Sequence, residues 1–382
     1  MDKKIRILYI SELVEMGGGE KWLFSIIERL DKKRFLPILL CPKRGPLVFE
    51  LEKRGVKVVI KPFGLAVKFF GFIPVISPLG IIRFFRVIVS EKIDLIHANC
   101  FSAFVFSALP AKILGVPLVW NVHGWTSGGG IQGALINFFA ARVITVSSAV
   151  KKFIAQSGMI SENKIDIISL GVDLERFKGL EEREEMRKKL GIPKGTPLIA
   201  IVGRLQAIKG HYYFLKAAEL LKKEFPDAKF LIVGARLFGH KKDEGYPEQV
   251  ERWIKETSFE SDIISTGFRG DTLDIIASVD VLVMSSIRES FGLVLAEAMA
   301  AGTAVVSTSC AGPEDIVEDK VSGLLVPVKD YKALADAVIF LLNNPDKKEA
   351  MIEAAKNRVR QYFSLDKQTE KFETVYSSLI KI

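Results

Sequence analysis

Cysteine is scarce in this sequence, and the three that occur, Cys41, Cys100 and Cys310, lie far apart. None belongs to a Cys-x-x-Cys pair, and their number is odd. These features argue against a disulfide framework or a zinc knuckle and favour a reducing compartment. We therefore expect a cytoplasmic protein.

Several motifs of catalytic and metal-binding proteins are missing as well. No Asp-x-Asp pair occurs, although such a pair is the usual carboxylate site for a metal-bound nucleotide sugar. The four histidines show no close metal-ligand spacing. A Walker loop and a Gly-x-Ser-x-Gly elbow are also absent. We expect neither a metal site nor a cofactor.

No apolar run is long enough for a transmembrane helix. The best candidate, Phe69–Ile82, is shorter than the roughly 20 residues that a span needs, and Pro74 and Pro78 interrupt it. The N-terminal strand is too short and too soon polar for a signal peptide. Residues 61–90 nevertheless combine aromatic and aliphatic side chains with basic flanks. They are a candidate peripheral contact with a membrane, and the alternative is a buried helix with its approach loop.

Charge is unevenly distributed along the 382 residues, of which 49% are hydrophobic and 26% charged. Residues 1–180 carry 25 Lys and Arg against 14 Asp and Glu, whereas residues 181–382 carry 29 against 31. The basic half favours an anionic partner such as phospholipid or a phosphorylated acceptor, and the alternative is solubilising charge. No aromatic–basic stacking motif is present, so we expect no nucleic acid.

Short apolar runs alternate with amphipathic segments along the whole chain, which predicts parallel sheets with helices on both faces. The runs are too many for one sheet, so we predict an α/β protein with two doubly wound, Rossmann-like domains. The expected strands are Ile5–Ile10, Leu36–Cys41, Val56–Ile60, Leu95–Ala98, Leu118–Val122, Val143–Ser147, Ile165–Ser169, Leu198–Gly203, Lys229–Gly234, Ile263–Thr266, Val281–Ser285, Ala304–Thr308 and Leu324–Val326.

The division between the domains is expected between Gly171 and Pro197, where chain breakers flank a charge-rich helix at Leu180–Leu190. We assign residues 1–175 to an N-terminal domain and residues 176–364 to a C-terminal domain. Ligands of such sheets bind at the carboxyl ends of the strands, so the loops there hold the candidate site residues.

Two of these loops are suited to phosphate. Gly17 and Gly18 follow the first strand and open a helix, where free amides attract phosphate, although the loop could equally be a flexible turn. The segment Gly203–Gly210 follows the first strand of the second series and carries Arg204 and Lys209. These two cations could hold a diphosphate, and the alternative is solvated surface charge.

A third loop offers two carboxylates beside a helix start. We predict a helix from Phe291 to Ala301 with Ser290 as its N-cap. Glu289 then precedes the helix and Glu297 lies about two turns inside it, roughly 12 Å away along the axis. One carboxylate could meet a sugar and the other a ribose; otherwise Glu289 is a surface acid and Glu297 a buried polar residue. The amides that could hold phosphate between them are those of Phe291, Gly292, Leu293 and Val294.

His123 is the one histidine at the end of an expected strand. A lone histidine is more often a hydrogen-bonding group than a catalyst, but its position at a carboxyl end favours a functional role. The run Gly128–Gly130 just after it indicates a mobile loop near an acceptor.

Taken together, these motifs resemble family 4 of the retaining glycosyltransferases, which have the GT-B fold. The second half carries the specific part of the resemblance, and the first half matches more loosely. The matching segments are Gly203-Arg204-Leu205, Lys209-Gly210, Glu289-Ser290-Phe291-Gly292-Leu293 with Glu297, Ala301-Gly302-Thr303, Gly17-Gly18-x-Glu20, His123-Gly124 and Val146-Ser147-Ser148. Two positions depart from the family, Leu170 in place of a common Asn and the segment Ala311-Gly312-Pro313-Glu314 in place of Gly-Gly-x-x-Glu.

The resemblance implies two Rossmann-like domains facing across a cleft, with the C-terminal helix of residues 365–382 crossing back to the first domain. It assigns catalysis to Glu289, on the sugar hydroxyls, and to His123, at the reacting centre. The substrate-binding residues that it implies are Arg204 and Lys209 for the diphosphate, Glu297 for the ribose, Gly267 and Phe268 near the base, Gly17 and Gly18 near the distal phosphate, and Gly203, Phe291, Gly292, Leu293 and Val294 along the donor.

The implied activity is that of a retaining, metal-independent hexosyltransferase. It would move a sugar from a nucleoside-diphosphate donor to a glycan or lipid-linked acceptor in the synthesis of envelope polysaccharide or glycolipid, in the cytoplasm or at the inner face of the membrane. No protein nucleophile is evident, so we expect a front-face displacement in which the donor phosphate takes the acceptor proton. The alternatives are a non-hydrolysing sugar-nucleotide epimerase and a non-catalytic sugar-nucleotide-binding scaffold.

Overall fold

Two fully parallel β-sheets organise the chain. The computed structural model describes residues 3–16, 18–62, 68–69, 73–74, 78–126, 129–235, 243 and 245–380. The strands in this part of the chain are β1 (Ile5–Ile10), β2 (Phe35–Cys41), β3 (Lys57–Ile60), β4 (Lys68–Phe69), β5 (Ile73–Pro74), β6 (Leu95–Ala98), β7 (Leu118–Val122), β8 (Arg142–Thr145), β9 (Ile165–Ile167), β10 (Leu198–Val202), β11 (Lys229–Val233), β12 (Ile263–Gly267), β13 (Val281–Met284), β14 (Ala304–Thr308) and β15 (Leu324–Val326).

Helices connect the strands. Those that the structure describes are α1 (Gly18–Arg29), α2 (Pro46–Lys53), α3 (Pro78–Ser90), α4 (Phe101–Leu114), α5 (Gly130–Phe139), α6 (Ser148–Ala155), α7 (Arg183–Lys189), α8 (His211–Glu224), α9 (Tyr246–Lys255), α10 (Thr272–Ser278), α11 (Leu293–Ala301), α12 (Pro313–Ile316), α13 (Tyr331–Asn343), α14 (Pro345–Tyr362) and α15 (Leu365–Leu379).

Both sheets have the strand order of a doubly wound fold. The first runs β3-β2-β1-β6-β7-β8-β9, and the second runs β12-β11-β10-β13-β14-β15. The second corresponds to the order 3-2-1-4-5-6, whose direction reverses between β10 and β13; the same reversal occurs between β1 and β6. These two reversal points are where the fold opens a crevice for a ligand. The prediction of two doubly wound α/β domains is confirmed.

The strands were recognisable because helices cover both faces of each sheet, so the strands are apolar without alternation. Every residue of β7 and β14 is buried, and the predicted runs match the strands of both sheets to within about two residues. The pair β4 and β5, which is antiparallel, lies outside both sheets.

The chain divides into two compact units. Unit 1 comprises Met1–Leu170 and Leu365–Ile382, and unit 2 comprises Gly171–Ser364. The predicted divisions lie after residue 175 and after residue 364, and the first of them is five residues later than in the structure. The first and last segments of unit 2 lie side by side, because the Val172 amide donates to the Phe363 carbonyl over 2.7 Å.

The last helix, α15, packs in unit 1 against α1. Its Tyr376 is fully buried, with its hydroxyl 2.8 Å from Nδ1 of His97 and 3.2 Å from the hydroxyl of Tyr9. Burial lowers the pKa of His97 to about 3, so its imidazole is neutral. Buried polar groups of this kind need their partners, and the Tyr376 hydroxyl therefore ties α15 to the first sheet.

Residues 61–90 include α3, while residues 63–67, 70–72 and 75–77 of this segment lie outside the described part. Phe84, Val87 and Ile88 of α3 are buried, whereas Leu79 and Ile82 are exposed. The buried-helix alternative therefore describes one face of α3 and leaves the other open. Within the described part of the chain, no helix is both long and apolar enough to cross a membrane.

We predict that Tyr376→Phe lowers the free energy of unfolding by about 2 kcal/mol, because it leaves Nδ1 of buried His97 without a donor. Urea denaturation measures the change. Tyr362→Phe is the matched control, since Tyr362 is exposed and its change should be close to zero. Equal stability of the two variants would show that the buried hydroxyl does not hold α15.

Candidate functional site

The reversal point of the second sheet places two predicted loops side by side. One loop, residues 203–210, follows β10, and the other, residues 285–292, follows the neighbouring strand β13. The Ile287 amide donates to the Ile208 carbonyl over 2.8 Å. The Ser285 hydroxyl donates to the carbonyls of Gly210, at 2.9 Å, and Lys209, at 3.2 Å. The two loops therefore form one hydrogen-bonded unit.

Gly210 is where the two loops come closest. Its φ is 72°, in the left-handed region, and a Cβ atom there would lie 2.0 Å from the Ser285 carbonyl oxygen. No side chain fits at this distance, so only glycine allows the approach. The contact turns the chain into α8 and fixes Lys209 just before it.

Lys209 and Glu289, which come from different loops, form an ion pair through Nζ and Oε2. Both side chains are largely buried. Glu289 is itself fixed by its backbone, because its amide donates to the Cys310 carbonyl over 3.0 Å and its carbonyl accepts from the Gly312 amide over 3.0 Å. The structure thus brings together the residue predicted for the diphosphate and the one predicted for the sugar.

Arg204 lies at the start of the same loop and is exposed. In the part of the chain that the structure describes, its guanidinium makes no ion pair. The loop therefore offers one cation paired with a carboxylate and one cation open to an anion.

The helix after β13 begins later than predicted. α11 starts at Leu293, its N-cap is Gly292 with φ 100°, and Ser290 does not cap it. Phe291, just before the turn, is buried with its ring 5.9 Å from that of Phe363, and the chain turns at Gly292. Only glycine adopts this left-handed turn without strain.

The shift also corrects the predicted spacing of the two carboxylates. Glu297, which is half-buried, is the fifth residue of α11 and lies just over one turn inside it, not two. Glu289 lies outside the helix, in a segment that pairs with Ala311. The estimate of 12 Å assumed a helix from Phe291, and that assumption is wrong because α11 begins at Leu293. The first amides of α11, at Leu293 and Val294, still have no carbonyl partner within the helix.

The carboxyl ends of β11 and β12 adjoin these loops. The Gly203 amide donates to the Val233 carbonyl over 2.9 Å, and the Gly234 amide donates to the Gly267 carbonyl over 3.0 Å. Gly267, with φ 67°, leads to Phe268, which is 79% exposed. An exposed ring at this edge is available to stack on a planar ligand.

In unit 1, His123 lies at the carboxyl end of β7. Its Nε2 is 2.8 Å from Oδ1 of Asn99, which follows β6, and 3.0 Å from Nδ2 of Asn121. The Trp22 ring contacts it edge-on at 4.8 Å. Burial lowers the pKa of His123 to about 4, so the imidazole is neutral near pH 7 and can polarise or accept but carries no charge.

Asn99 and Asn121 were not identified from the sequence. The available signal was that both are polar residues at the carboxyl ends of apolar runs. Asn121 lies only two residues before His123, whereas recognising Asn99 as a partner also needed the neighbouring positions of β6 and β7, which only the sheet order gives.

The glycine loop of unit 1 is described only in part. Gly17 lies outside the described residues, and Gly18 is the first residue of α1. Glu20 in the same turn is buried, and burial raises the pKa of its carboxyl group. The position of Gly18 at a helix start agrees with the predicted geometry, while its role toward a phosphate stays a prediction.

The segment Ala311–Glu314, which departs from the family pattern, lies beside Glu289 and pairs with its backbone. Ala311 has φ 93°, which is strained for a residue with a side chain. Its amide donates to the Glu314 carboxylate over 3.1 Å. A Cβ at Gly312 would lie 2.4 Å from the Phe291 nitrogen, so glycine is required there. Glu314 thus holds its own loop beside Glu289.

No group of three or more His, Cys, Asp and Glu side chains that could hold a metal ion occurs among the described residues. The expectation of a metal-free site stays a prediction.

Two family models match the chain and together span most of it. Residues 182–358 match Glycosyl transferases group 1, and residues 16–176 match Glycosyltransferase Family 4. The two matched segments lie on either side of a short polar stretch that precedes α7.

Similar proteins extend over nearly the full length. A UDP-Gal:alpha-D-GlcNAc-diphosphoundecaprenol alpha-1,3-galactosyltransferase of Escherichia coli is 23% identical, covering 99% of this chain and 98% of its own. An N,N'-diacetylbacillosaminyl-diphospho-undecaprenol alpha-1,3-N-acetylgalactosaminyltransferase of Campylobacter jejuni is 24% identical, over 87% and 88%. The crystal structure of Anabaena HepE in complex with UDP superposes with a TM-score of 0.84 at 23% identity, over 98% of this chain and 100% of that one.

We predict that Gly210→Ala disrupts the paired loops, because the new methyl group meets the Ser285 carbonyl. Gly191→Ala is the matched control, since Gly191 has φ 71° with open space around its Cβ position. The control should lose about 1 kcal/mol from backbone strain alone, and Gly210→Ala clearly more, both measured by urea denaturation. Equal losses would show that the close approach is not required.

Proposed function

Because the chain belongs to the family 4 type of glycosyltransferases and has the GT-B fold, we propose that it transfers a sugar from a nucleoside-diphosphate donor to a lipid-linked glycan, with retention of configuration and without a metal ion. The chain is a glycosyltransferase that acts on nucleotide or lipid-linked sugars. The proposal adds the donor, the acceptor and retention at the sugar C1.

One observation carries the proposal: Arg204, the Lys209–Glu289 pair and the start of α11 meet at the reversal point of the second sheet. A diphosphate there is matched by the open guanidinium, by the Lys209 ammonium and by the amides of the first turn of α11. Glu289, which pairs with Lys209 and precedes α11, can accept hydrogen bonds from sugar hydroxyls while it holds Lys209.

The difficult step is departure of the nucleoside diphosphate, which gathers negative charge as the bond from the sugar C1 to the phosphate oxygen breaks. Arg204, Lys209 and the helix amides are positioned in advance to stabilise that charge. The acceptor hydroxyl forms the new bond to C1 on the same face and gives its proton to a phosphate oxygen of the leaving group. Configuration is retained, and no protein nucleophile takes part.

The remaining site residues extend this donor arrangement. Glu297 is assigned to the ribose and Phe268, with Gly267, to the base, which its exposed ring can stack on. His123 is assigned to the reacting centre, where a neutral imidazole held by Asn99 can hydrogen-bond the sugar without attracting the phosphate. Gly18 is assigned to the distal phosphate.

The relatives support the choice of substrates. The names of the Escherichia coli and Campylobacter jejuni enzymes both contain a diphosphoundecaprenol-type acceptor, and UDP occurs in the first name and in the HepE complex. We therefore propose a UDP-sugar as donor and a polyprenyl-diphosphate-linked sugar as acceptor. Envelope polysaccharide or glycolipid synthesis at the inner face of the membrane follows from such an acceptor.

We predict that Arg204→Ala lowers kcat/KM for transfer at least tenfold, about 1.4 kcal/mol, since it removes a charge that stabilises the leaving group. Lys209→Ala should have an effect of similar or larger size, with its thermal midpoint measured to show that it folds. Arg252→Ala, at an exposed arginine of α9, is the control and should retain full activity. A loss below tenfold for Arg204→Ala would remove this residue from the diphosphate site.

Screening UDP-, GDP- and ADP-sugars tests the donor, and we expect a UDP-sugar to raise the thermal midpoint most. With that donor, activity should persist in excess chelator, and NMR of the product should show the anomeric configuration of the donor. Strong inhibition by chelator would contradict the metal-free mechanism. An epimerised sugar nucleotide formed without any acceptor would indicate the epimerase, and binding without turnover would indicate the scaffold.

A further inference from the structure

Helix α5 of unit 1 exposes an apolar face. Ile131, Leu135 and Phe138 lie at helical spacing on one side of it and are 81%, 50% and 60% exposed. Gly133 and Ile136, on the other side, are buried. A helix at the surface of a soluble domain normally turns its polar face outward, so an exposed apolar stripe indicates a contact that the isolated chain does not make.

The apolar surface continues onto the neighbouring helices. α4 packs against both α5 and α3. Its C-terminal end exposes Leu109 and Ile113, and α3 exposes Leu79, Ile82 and Val89. We call the exposed apolar residues of α3, α4 and α5 the three-helix face. It includes part of residues 61–90 but extends well beyond them.

Basic residues predominate in the sequence of these helices. The sequence contains no Asp or Glu between residues 95 and 161, which include α4, α5 and α6, and none within α3. Of the acids that flank these stretches, Glu91 and Asp94 are paired with Lys57 and Lys3, and Glu162 follows after α6. Acid-free sequence over this length leaves the surface basic, which complements an anionic partner.

The basic residues stand among the apolar ones. Lys112 of α4 lies with its Nζ 4.5 Å from the centre of the Phe138 ring, and 3.4 Å from the Phe138 carbonyl oxygen. Arg83 and Arg86 are exposed on α3 between Ile82 and Val89. Cations beside aromatic and aliphatic side chains suit the boundary between lipid headgroups and acyl chains.

We propose that the three-helix face inserts into an anionic lipid bilayer, with α5 as its central element. Apolar side chains would enter the acyl boundary, while Lys112, Arg83 and Arg86 would meet the headgroup phosphates. The biological role of this contact rests on the proposed lipid-linked acceptor. Because α5 follows closely after His123, insertion of α5 would bring His123 near the bilayer surface. The binding itself requires neither sugar nor acceptor.

Vesicle flotation of the full chain tests the inference. The probes are phosphatidylcholine vesicles with about 30% phosphatidylglycerol and vesicles of phosphatidylcholine alone. The test variant is Ile131→Ser with Leu135→Ser and Phe138→Ser, all of which are exposed and should not disturb folding. The matched control is Val321→Ser with Val328→Ser and Tyr362→Ser, exposed positions of unit 2.

We expect the unaltered chain and the control to bind the phosphatidylglycerol vesicles and the α5 variant to bind at least about tenfold more weakly, or about 1.4 kcal/mol. Lys112→Glu should weaken binding to the anionic vesicles only, and added salt should weaken it too. Equal binding by the α5 variant overturns the proposal. So does a dimer of the unaltered chain that the α5 variant converts to a monomer, because the face would then be an interface between copies.

Transfer to an acceptor with a short, water-soluble lipid chain separates this inference from the proposed function. The α5 variant should keep that activity, since its changes lie outside the donor and reacting residues. Vesicle binding without any transfer would contradict the proposed function but not the proposed membrane surface. Transfer by a chain whose vesicle binding does not depend on α5 would contradict the proposed membrane surface alone.

Discussion

The contact between Gly210 and the Ser285 carbonyl is the constraint on which the proposed donor site of unit 2 depends. The carbonyl occupies the place that a side chain at residue 210 would need, and the Ser285 hydroxyl holds the carbonyls of Lys209 and Gly210. Because β10 and β13 are neighbours at the reversal of the sheet, this one contact fixes the end of one loop against the start of the other. The meeting of Lys209 with Glu289 follows from it, and so does the entry of the chain into α8.

Charge in this region is balanced rather than accumulated. Glu289 neutralises Lys209 in a largely buried pair, which limits the cost of holding an ammonium group away from water. Arg204 stays in solvent, and the helix start contributes partial positive charge without a counter-ion. The region can therefore attract a diphosphate without carrying a cluster of unpaired cations. In unit 1, His123 at the end of β7 is neutral, because burial lowers its pKa to about 4.

The strands could be predicted from the sequence because a parallel strand covered on both faces must be apolar throughout, as in β14. The start of α11 could not be predicted from the sequence. The preference of Ser290 for an N-cap position is a local signal, whereas the burial of Phe291 involves a residue distant in sequence, Phe363. Asn99, the partner of His123 that is distant in sequence, needed the order of β6 and β7, which no local pattern contains. For α5, apolar composition alone predicts burial equally well, and only the coordinates show that Ile131 and Phe138 are left uncovered.

The hydrogen bond between Val172 and Phe363 means that unit 2 leaves and rejoins the chain at a single point. In topological terms, unit 2 is a domain inserted into unit 1, and the two ends of the insertion are adjacent in space. A replacement of the whole unit would alter the path of the host chain only at these two ends, which are adjacent in space. The part of the protein proposed to choose the nucleotide sugar could thus diverge or be replaced independently of the part that carries α5 and His123.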